Sequence, residues 1–304
     1  MAHNVRMSDS PWSKGPPRGP RPDKRTRERE RGDRPPPRRD HAERAPPRRE
    51  HAEPVRAHAE PAAPSEQRIY GLNACLALFS RRPASVRKVW LLEDRIPDLK
   101  AVLAHCVKNR LGYTIVEAED LERLSGSAHH EGVVFGALPA AEWPLSSWLR
   151  ELPNGPALAL WLDGVGNPHN LGAILRSGAH FGASGLLLPK DSTLHISGAA
   201  ARVAEGGAEF VPMVRLGRPE NALEQLRAAG FIIAATVVRG GTSLFKTKLP
   251  ERVVYILGAE QSGVDSALAQ ASTLRLAIPG RGAVESLNVA SAASVLMAEW
   301  LRQH

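Results

Sequence analysis

From Ala157 onward the chain alternates short apolar runs with amphipathic stretches. Ala157–Leu162, Gly185–Leu188, Phe231–Val237, Val253–Leu257 and Leu274–Ile278 are almost continuously apolar. Such runs suit parallel strands buried on both faces. Between and after them, Asn170–Phe181, Ala199–Gly206, Ala222–Ala229, Ala267–Ala269 and Leu287–Arg302 predict helices. The pattern implies an α/β fold, a mostly parallel sheet wrapped by helices. Ligands of such sheets lie beyond the carboxyl ends of the strands.

Residues 67–138 carry a smaller version of the same rhythm. Ile69, Leu72, Leu76 and Phe79 fall at helical spacing and predict a helix over Ile69–Arg81. Val86–Leu92, Thr114–Val116 and Gly132–Ala137 read as strands. Leu99–Leu111 is amphipathic, with Gly112 as its expected stop. Asp120 is the expected cap of a short helix through Leu124. Pro139, Pro144, Pro153 and Pro156 mark 139–156 as a linker, with a short helix around Trp148.

Residues 1–66 break the rhythm. They hold 13 of the 25 prolines and one aromatic residue, Trp12. Too little apolar surface is present to offset the entropy of ordering, so a disordered tail is expected. A ten-residue echo joins Pro-Pro-Arg-Arg-Asp-His-Ala-Glu at 36–43 to Pro-Pro-Arg-Arg-Glu-His-Ala-Glu at 46–53. The tail carries 16 Lys and Arg against 11 Asp and Glu, so +5 of the chain's +8 resides there. Two readings of it stay open: an arm that neutralises RNA phosphates, or a solvated segment without a partner.

The remaining composition narrows the class. Two cysteines, Cys75 and Cys106, are too few for a disulfide framework or a four-cysteine zinc site. Both are expected as small buried hydrophobes, with no metal. No apolar run approaches the ~20 residues of a membrane span, and the N-terminus has no apolar signal core. A cytoplasmic protein with no membrane contact is the expectation.

Three loops carry the candidate chemistry. The first, Asp163-Gly-Val-Gly-Asn-Pro-His-Asn170, joins a strand to a helix. Its glycines suggest a dinucleotide fingerprint, but His169 stands where the third glycine belongs, and the next strand ends in Pro-Lys rather than an acid. Arg176 follows Asn170 by about 1.7 helical turns, and both could face a cavity above the helix N-terminus. For Arg176 a plain surface ion pair stays open. The second loop, Gly258-Ala-Glu260-Gln-Ser-Gly263, offers close backbone approach or positive φ at its glycines. The third runs from Ile278 to Asn288, with Ser286 as the expected helix cap.

Taken in order, these loops resemble the motifs of the SpoU/TrmH family of the SPOUT superfamily. The matching stretches are Asn167-Pro-His-Asn170-Leu-Gly172-Ala-Ile-Leu-Arg176, Ile256-Leu-Gly258-Ala-Glu260-Gln-Ser-Gly263, and Ile278-Pro279 with Ser286-Leu-Asn288-Val-Ala-Ser-Ala-Ala. Residues 67–138 look like the family's L30e-like RNA-binding domain, which places the linker at 139–156 and the methyltransferase domain at 157–304. The resemblance implies a C-terminal trefoil knot, S-adenosylmethionine as cofactor, a homodimer, and methylation of a ribose 2′-hydroxyl in rRNA or tRNA. It assigns Thr236, Gly258, Ile278 and Leu287 to the cofactor, and Arg176, Asn170, Glu260, Ser286 and Asn288 to the reaction centre. It gives Arg176 the role of base. Because arginine stays protonated in ordinary protein settings, a second role is open: holding phosphate and stabilising alkoxide charge. A non-catalytic RNA-binding factor and a base methyltransferase are the alternative functions.

Two departures from the family pattern stand out. The turn before the front domain's last strand reads His129-His130-Glu131-Gly132, with a carboxylate where an amide is usual. Arg202 and the Ala-Glu-Gly-Gly-Ala-Glu run at 204–209 stand where many members carry a small-residue turn; Glu205 and Glu209 are expected in solvent, with a subunit partner as the alternative.

Overall fold

The computed structural model describes residues 65–304. The predicted disorder of 1–66 therefore lies almost wholly outside the described residues. Two sheets are present. The first contains β1 (Gln67–Tyr70), β2 (Val86–Leu91), β3 (Gly112–Ile115) and β4 (Val133–Ala137) in the order β1-β4-β2-β3. β4 runs antiparallel to β1 and β2, and β3 runs parallel to β2. Helices α1 (Leu72–Arg81) and α2 (Lys100–Asn109) cover one face, burying Leu78, Val102 and Phe135. Helix α3 (Ala118–Ser125) covers the other through Leu121, against Tyr70, Trp90 and Val134.

Four local expectations need correction. The helix predicted from Ile69 starts only at Leu72. Gly71 at φ 93° turns the chain, and Ile69 and Tyr70 pair with Phe135 and Val134 in the sheet. A strand side chain had simply fallen at helical spacing. α2 is stopped by Arg110, at φ 56°, whereas Gly112 opens β3. Asp120 lies inside the first turn of α3, and Glu117 holds the cap position. Ser286 does not cap the last helix; Asn288 does.

The second sheet is parallel throughout. It holds β5 (Trp143–Pro144), β6 (Ala157–Asp163), β7 (Gly185–Leu188), β8 (Met213–Arg215), β9 (Ile232–Thr236), β10 (Thr242–Ser243), β11 (Arg252–Gly258) and β12 (Leu274–Ala277). Their order is β10-β12-β9-β11-β6-β7-β8-β5. α5 (Pro168–Phe181), α6 (Gly198–Ala204) and α9 (Val289–Gln303) pack on one face. α4 (Leu145–Glu151), α7 (Pro219–Ala228) and α8 (Ser266–Ala271) pack on the other. Leu158, Leu160 and Leu162 of β6 enter the first core, and Ala157, Ala159 and Trp161 the second. That alternation explains why the strand reads as uniformly apolar.

The prolines at 139–156 do not mark a bare connector. β5 pairs with β8 at the sheet edge. In α4, Trp148 is buried, stacks on Phe231 and donates to the Ser184 carbonyl at 2.9 Å. The sequence reading missed β5, β8 and β10, which are two or three residues long and too short for a periodic signal.

Cys75 and Cys106 are fully buried, and burial pushes both thiols up. No group of three or more potential metal ligands occurs among the described residues. None of the described helices is long and apolar enough to cross a membrane.

The two units are joined by ion pairs rather than by a loop alone. Arg82, just beyond α1, grips Glu209 through both guanidinium branches at 2.7 and 2.9 Å and donates to the Leu138 carbonyl at 2.5 Å. Both side chains are mostly buried. Arg82→Ala leaves that carboxylate and carbonyl without donors, so a loss of about 2–4 kcal/mol is expected. A denaturant midpoint measured at constant m checks this.

Candidate active site

The chain passes from β6 to β7 and β8 on one side, then crosses back to β9, beyond β11. The reversal falls between β6 and β11, the point where parallel sheets open a crevice. The first and second motif loops leave the sheet there.

Asn167 caps α5 by accepting from the His169 N–H at 2.9 Å, with Pro168 supplying the first helical residue. This cap points the next turn at the second loop. Asn170 is buried, and its Nδ2 donates to Glu260 Oε1 at 2.5 Å. Its Oδ1 accepts from Asn288 Nδ2 at 3.0 Å. Asn288 in turn caps α9 by accepting from the Ala290 N–H at 2.8 Å. A single hydrogen-bonded chain thus ties all three motif loops together. Buried amides stay fixed when both ends are paired. Glu260 itself is exposed.

The second loop closes on itself. The Gly263 N–H donates to the Ala259 carbonyl at 2.8 Å, and Gly263 sits at φ 71°. A Cβ on Gly258 would lie 2.0 Å from the Gly263 carbonyl carbon and 2.1 Å from the Val264 nitrogen. The close approach expected at Gly258 is therefore made to its own loop. Thr236 at the end of β9 donates to the Ile256 carbonyl at 2.8 Å, tying β9 to β11. Ile278 is half-buried just past β12. Leu287 and its neighbour Val284 stand exposed, as does Val238 after β9. Exposed apolar side chains beside loop backbone suit a ligand with a planar, apolar ring and polar edges.

Two reaction-centre candidates do not join the chain. Ser286 is exposed and makes no side-chain hydrogen bond among the described residues. Arg176 was expected to share a cavity with Asn170. Its side chain is instead 64% exposed, and its Nη1 lies 3.9 Å from Glu205 Oε1.

The sequence reading missed the partners that surround this arrangement. Glu205 is not solvated alone: its Oε2 accepts from Asn73 Nδ2 at 2.7 Å. Glu209 is held by Arg82, so neither carboxylate stands unpaired in solvent. Glu131, the departure in the front domain's turn, accepts from the Leu72 N–H at 2.9 Å and pairs with Arg202 at 2.7 Å. A carboxylate there both favours the α1 N-terminus and clamps α6. The unusual positions Glu131, Arg202 and Glu205 were visible as departures, but their pairing needed the fold. On the opposite face of the sheet, a cavity of about 650 Å³ opens between the Asp163–Gly166 loop, α7 and α8. It adjoins the first motif but holds none of the residues assigned to the cofactor or the reaction.

The comparisons with known proteins cover both units. The SpoU rRNA Methylase family model matches residues 157–298. The RNA 2′-O ribose methyltransferase substrate-binding model matches residues 68–143. The uncharacterized tRNA/rRNA methyltransferase YfiF of Escherichia coli O157:H7 is 38% identical over 239 residues, 79% of this chain and 69% of that protein. The 23S rRNA (guanosine-2′-O-)-methyltransferase RlmB of Pseudomonas putida is 32% identical over 240 residues, 78% of this chain and 96% of that protein. Among solved structures, the AdoMet-bound rRNA methyltransferase of Sinorhizobium meliloti superposes with a TM-score of 0.65 at 26% identity, covering 78% of this chain and 87% of that one. With its three motif loops joined through Asn170, and with relatives that match along most of their length, this chain belongs to the SpoU rRNA methylase family.

Proposed function

We propose that this protein transfers a methyl group from S-adenosylmethionine to a ribose 2′-hydroxyl of rRNA or tRNA, acting as a homodimer. The observation that carries the reading is the Asn170–Glu260–Asn288 chain at the sheet's switch point. It is supported by relatives named as 23S rRNA 2′-O-methyltransferases. Exposed Phe245 and Leu301 are the kind of apolar surface a dimer face covers. A C-terminal trefoil knot, as the family resemblance implies, is part of the same reading.

S-adenosylmethionine, when bound, supplies an electrophilic methyl group on a sulfonium. Backbone groups of the Gly258 loop and of the segment from Ile278 to Leu287 would hold it, with Thr236 fixing the edge of the pocket. A ribose hydroxyl is a poor nucleophile, so the protein must align it in line and assist loss of its proton. The Glu260 oxygen not used by Asn170 would accept a hydrogen bond from the sugar. Arg176 supplies either the proton acceptor or the charge that stabilises the developing alkoxide. Ser286 orients the sugar. On the front unit, the Arg68 guanidinium and Lys88 ammonium lie 4.4 and 4.9 Å from the ring centroid of buried Trp90, which holds two cations at a surface suited to RNA phosphate.

The test uses purified protein, S-adenosylmethionine labelled in the methyl group, and separate rRNA and tRNA pools from cells lacking this gene. Label is expected in one pool, at a single alkali-resistant linkage. Label on a base overturns the ribose assignment. Cofactor binding with no label in either pool favours an RNA-binding factor without activity.

A further inference from the structure

The turn Glu205-Gly206-Gly207 lies between the front unit and the α5 turn that carries Arg176. Glu205 ends α6 in the left-handed region, at φ 50°, where a residue with a side chain is disfavoured. Its carboxylate lies between two partners from different units. One oxygen accepts from Asn73 on the first turn of α1 at 2.7 Å, and the other lies 3.9 Å from Arg176. The two glycines that follow are pressed from both sides. A Cβ on Gly206 would lie 2.8 Å from Ala77 Cβ and 3.3 Å from the Asn73 carbonyl oxygen, both in α1. A Cβ on Gly207 would lie 2.7 Å from the Leu175 carbonyl oxygen and 2.9 Å from Arg176 Cα. The turn therefore packs directly on α1, through the Ala77 methyl and the Asn73 carbonyl, and on the backbone of the Arg176 turn.

The surroundings make this wedge stiff. Glu131 clamps Arg202 before it, and Arg82 clamps Glu209 behind it. Close-packed contacts of this kind pass on a displacement instead of absorbing it. A movement of α1 has two routes to Arg176, one through the Asn73–Glu205 hydrogen bond and one through the paired glycines.

We propose that Glu205 is a positioning residue for Arg176, and that the Glu205-Gly206-Gly207 turn couples the RNA-binding unit to the reaction centre. The proposal rests on the reading above that Arg176 serves methyl transfer. Asn73 sets the Glu205 carboxylate, and the carboxylate sets the guanidinium. RNA held by the front unit thereby governs where Arg176 is presented.

Two variants separate the parts. Glu205→Gln keeps an acceptor for Asn73 but removes the charge facing Arg176. Asn73→Ala removes the donor but keeps the charge. Relative to wild type, Glu205→Gln is expected to lower kcat about tenfold, with KM for RNA and S-adenosylmethionine affinity within about twofold. Asn73→Ala is expected to lower kcat by about threefold, and the double variant to be no worse than Glu205→Gln, as for two groups acting through one interaction. Independently of turnover, the Nε–H resonance of Arg176, assigned by its loss in Arg176→Ala, should move in both single variants. An unmoved resonance in Asn73→Ala overturns the coupling. So does wild-type kcat in Glu205→Gln, or a kcat loss matched by an equal loss of cofactor binding and melting temperature. If the resonance moves in both variants while the wild-type protein methylates no RNA, the coupling stands and the methyltransferase reading fails.

Discussion

Arg176→Ala is expected to lower kcat by roughly a thousandfold while S-adenosylmethionine binding stays within about twofold of wild type. The expectation follows from where the residue sits. Asn170 is buried and fixed, whereas Arg176 is exposed on the same helix and touches none of the loops assigned to the cofactor. Its removal should therefore spare the cofactor site. What it removes is a planar cation with several N–H donors, able to hold phosphate and oxyanion together. Arg176→Lys is expected to be nearly as poor, because a point charge on a flexible stem does not reproduce the fork. Single-turnover methyl transfer alongside calorimetric cofactor binding makes the measurement. Wild-type turnover in Arg176→Ala would remove this residue from the mechanism.

Gly258→Ala has the opposite signature: cofactor binding is lost and the fold survives. The added methyl group would sit 2.0 Å from the Gly263 carbonyl carbon, about half of an ordinary carbon–carbon contact. The neighbour is backbone, so no rotamer change relieves the clash. The loop from Gly258 to Gly263 must open, breaking the hydrogen bond from Gly263 to Ala259. Glu260 sits inside that loop, so its contact to Asn170 is lost as well. The core strand before it, with Val254, Tyr255 and Ile256 fully buried, has no reason to move. Calorimetry should show S-adenosylmethionine affinity reduced at least about a hundredfold, with unfolding cooperativity retained. Cofactor affinity close to wild type would place the cofactor away from this loop.

The large sheet was legible in the sequence because its strands are buried on both sides. β6, β9 and β11 read as almost continuously apolar runs whose ends fall within one residue of the observed ones. The motif loops were legible because chemistry-bearing residues cluster at strand ends. Periodicity failed where one side chain served two patterns, as Ile69 did at the junction of β1 and α1. It also failed in β5, β8 and β10, whose pairing depends on neighbours far away in the chain. Helix ends were misread by two or three residues because several candidate capping residues stood close together. Ser286 and Asn288 are chemically similar caps, and only the path of the third loop decides between them. The partners of Arg176 were hidden for a different reason. Glu205 pairs with Arg176 inside the large unit and accepts from Asn73 across 132 residues, and neither contact leaves a local signature.

The strand β5 changes what counts as the catalytic half of this molecule. Trp143 and Pro144 seal the outer side of β8, and α4 behind them puts Trp148 against Phe231. A fragment beginning at Ala157 would leave β8 with unpaired backbone groups and a hydrophobic hole beneath them, the combination that invites strand-to-strand aggregation. The natural seam for separating the halves, or for grafting a different RNA-binding module, thus lies in the short stretch between Ala137 and Trp143, upstream of most of the prolines that advertise a break.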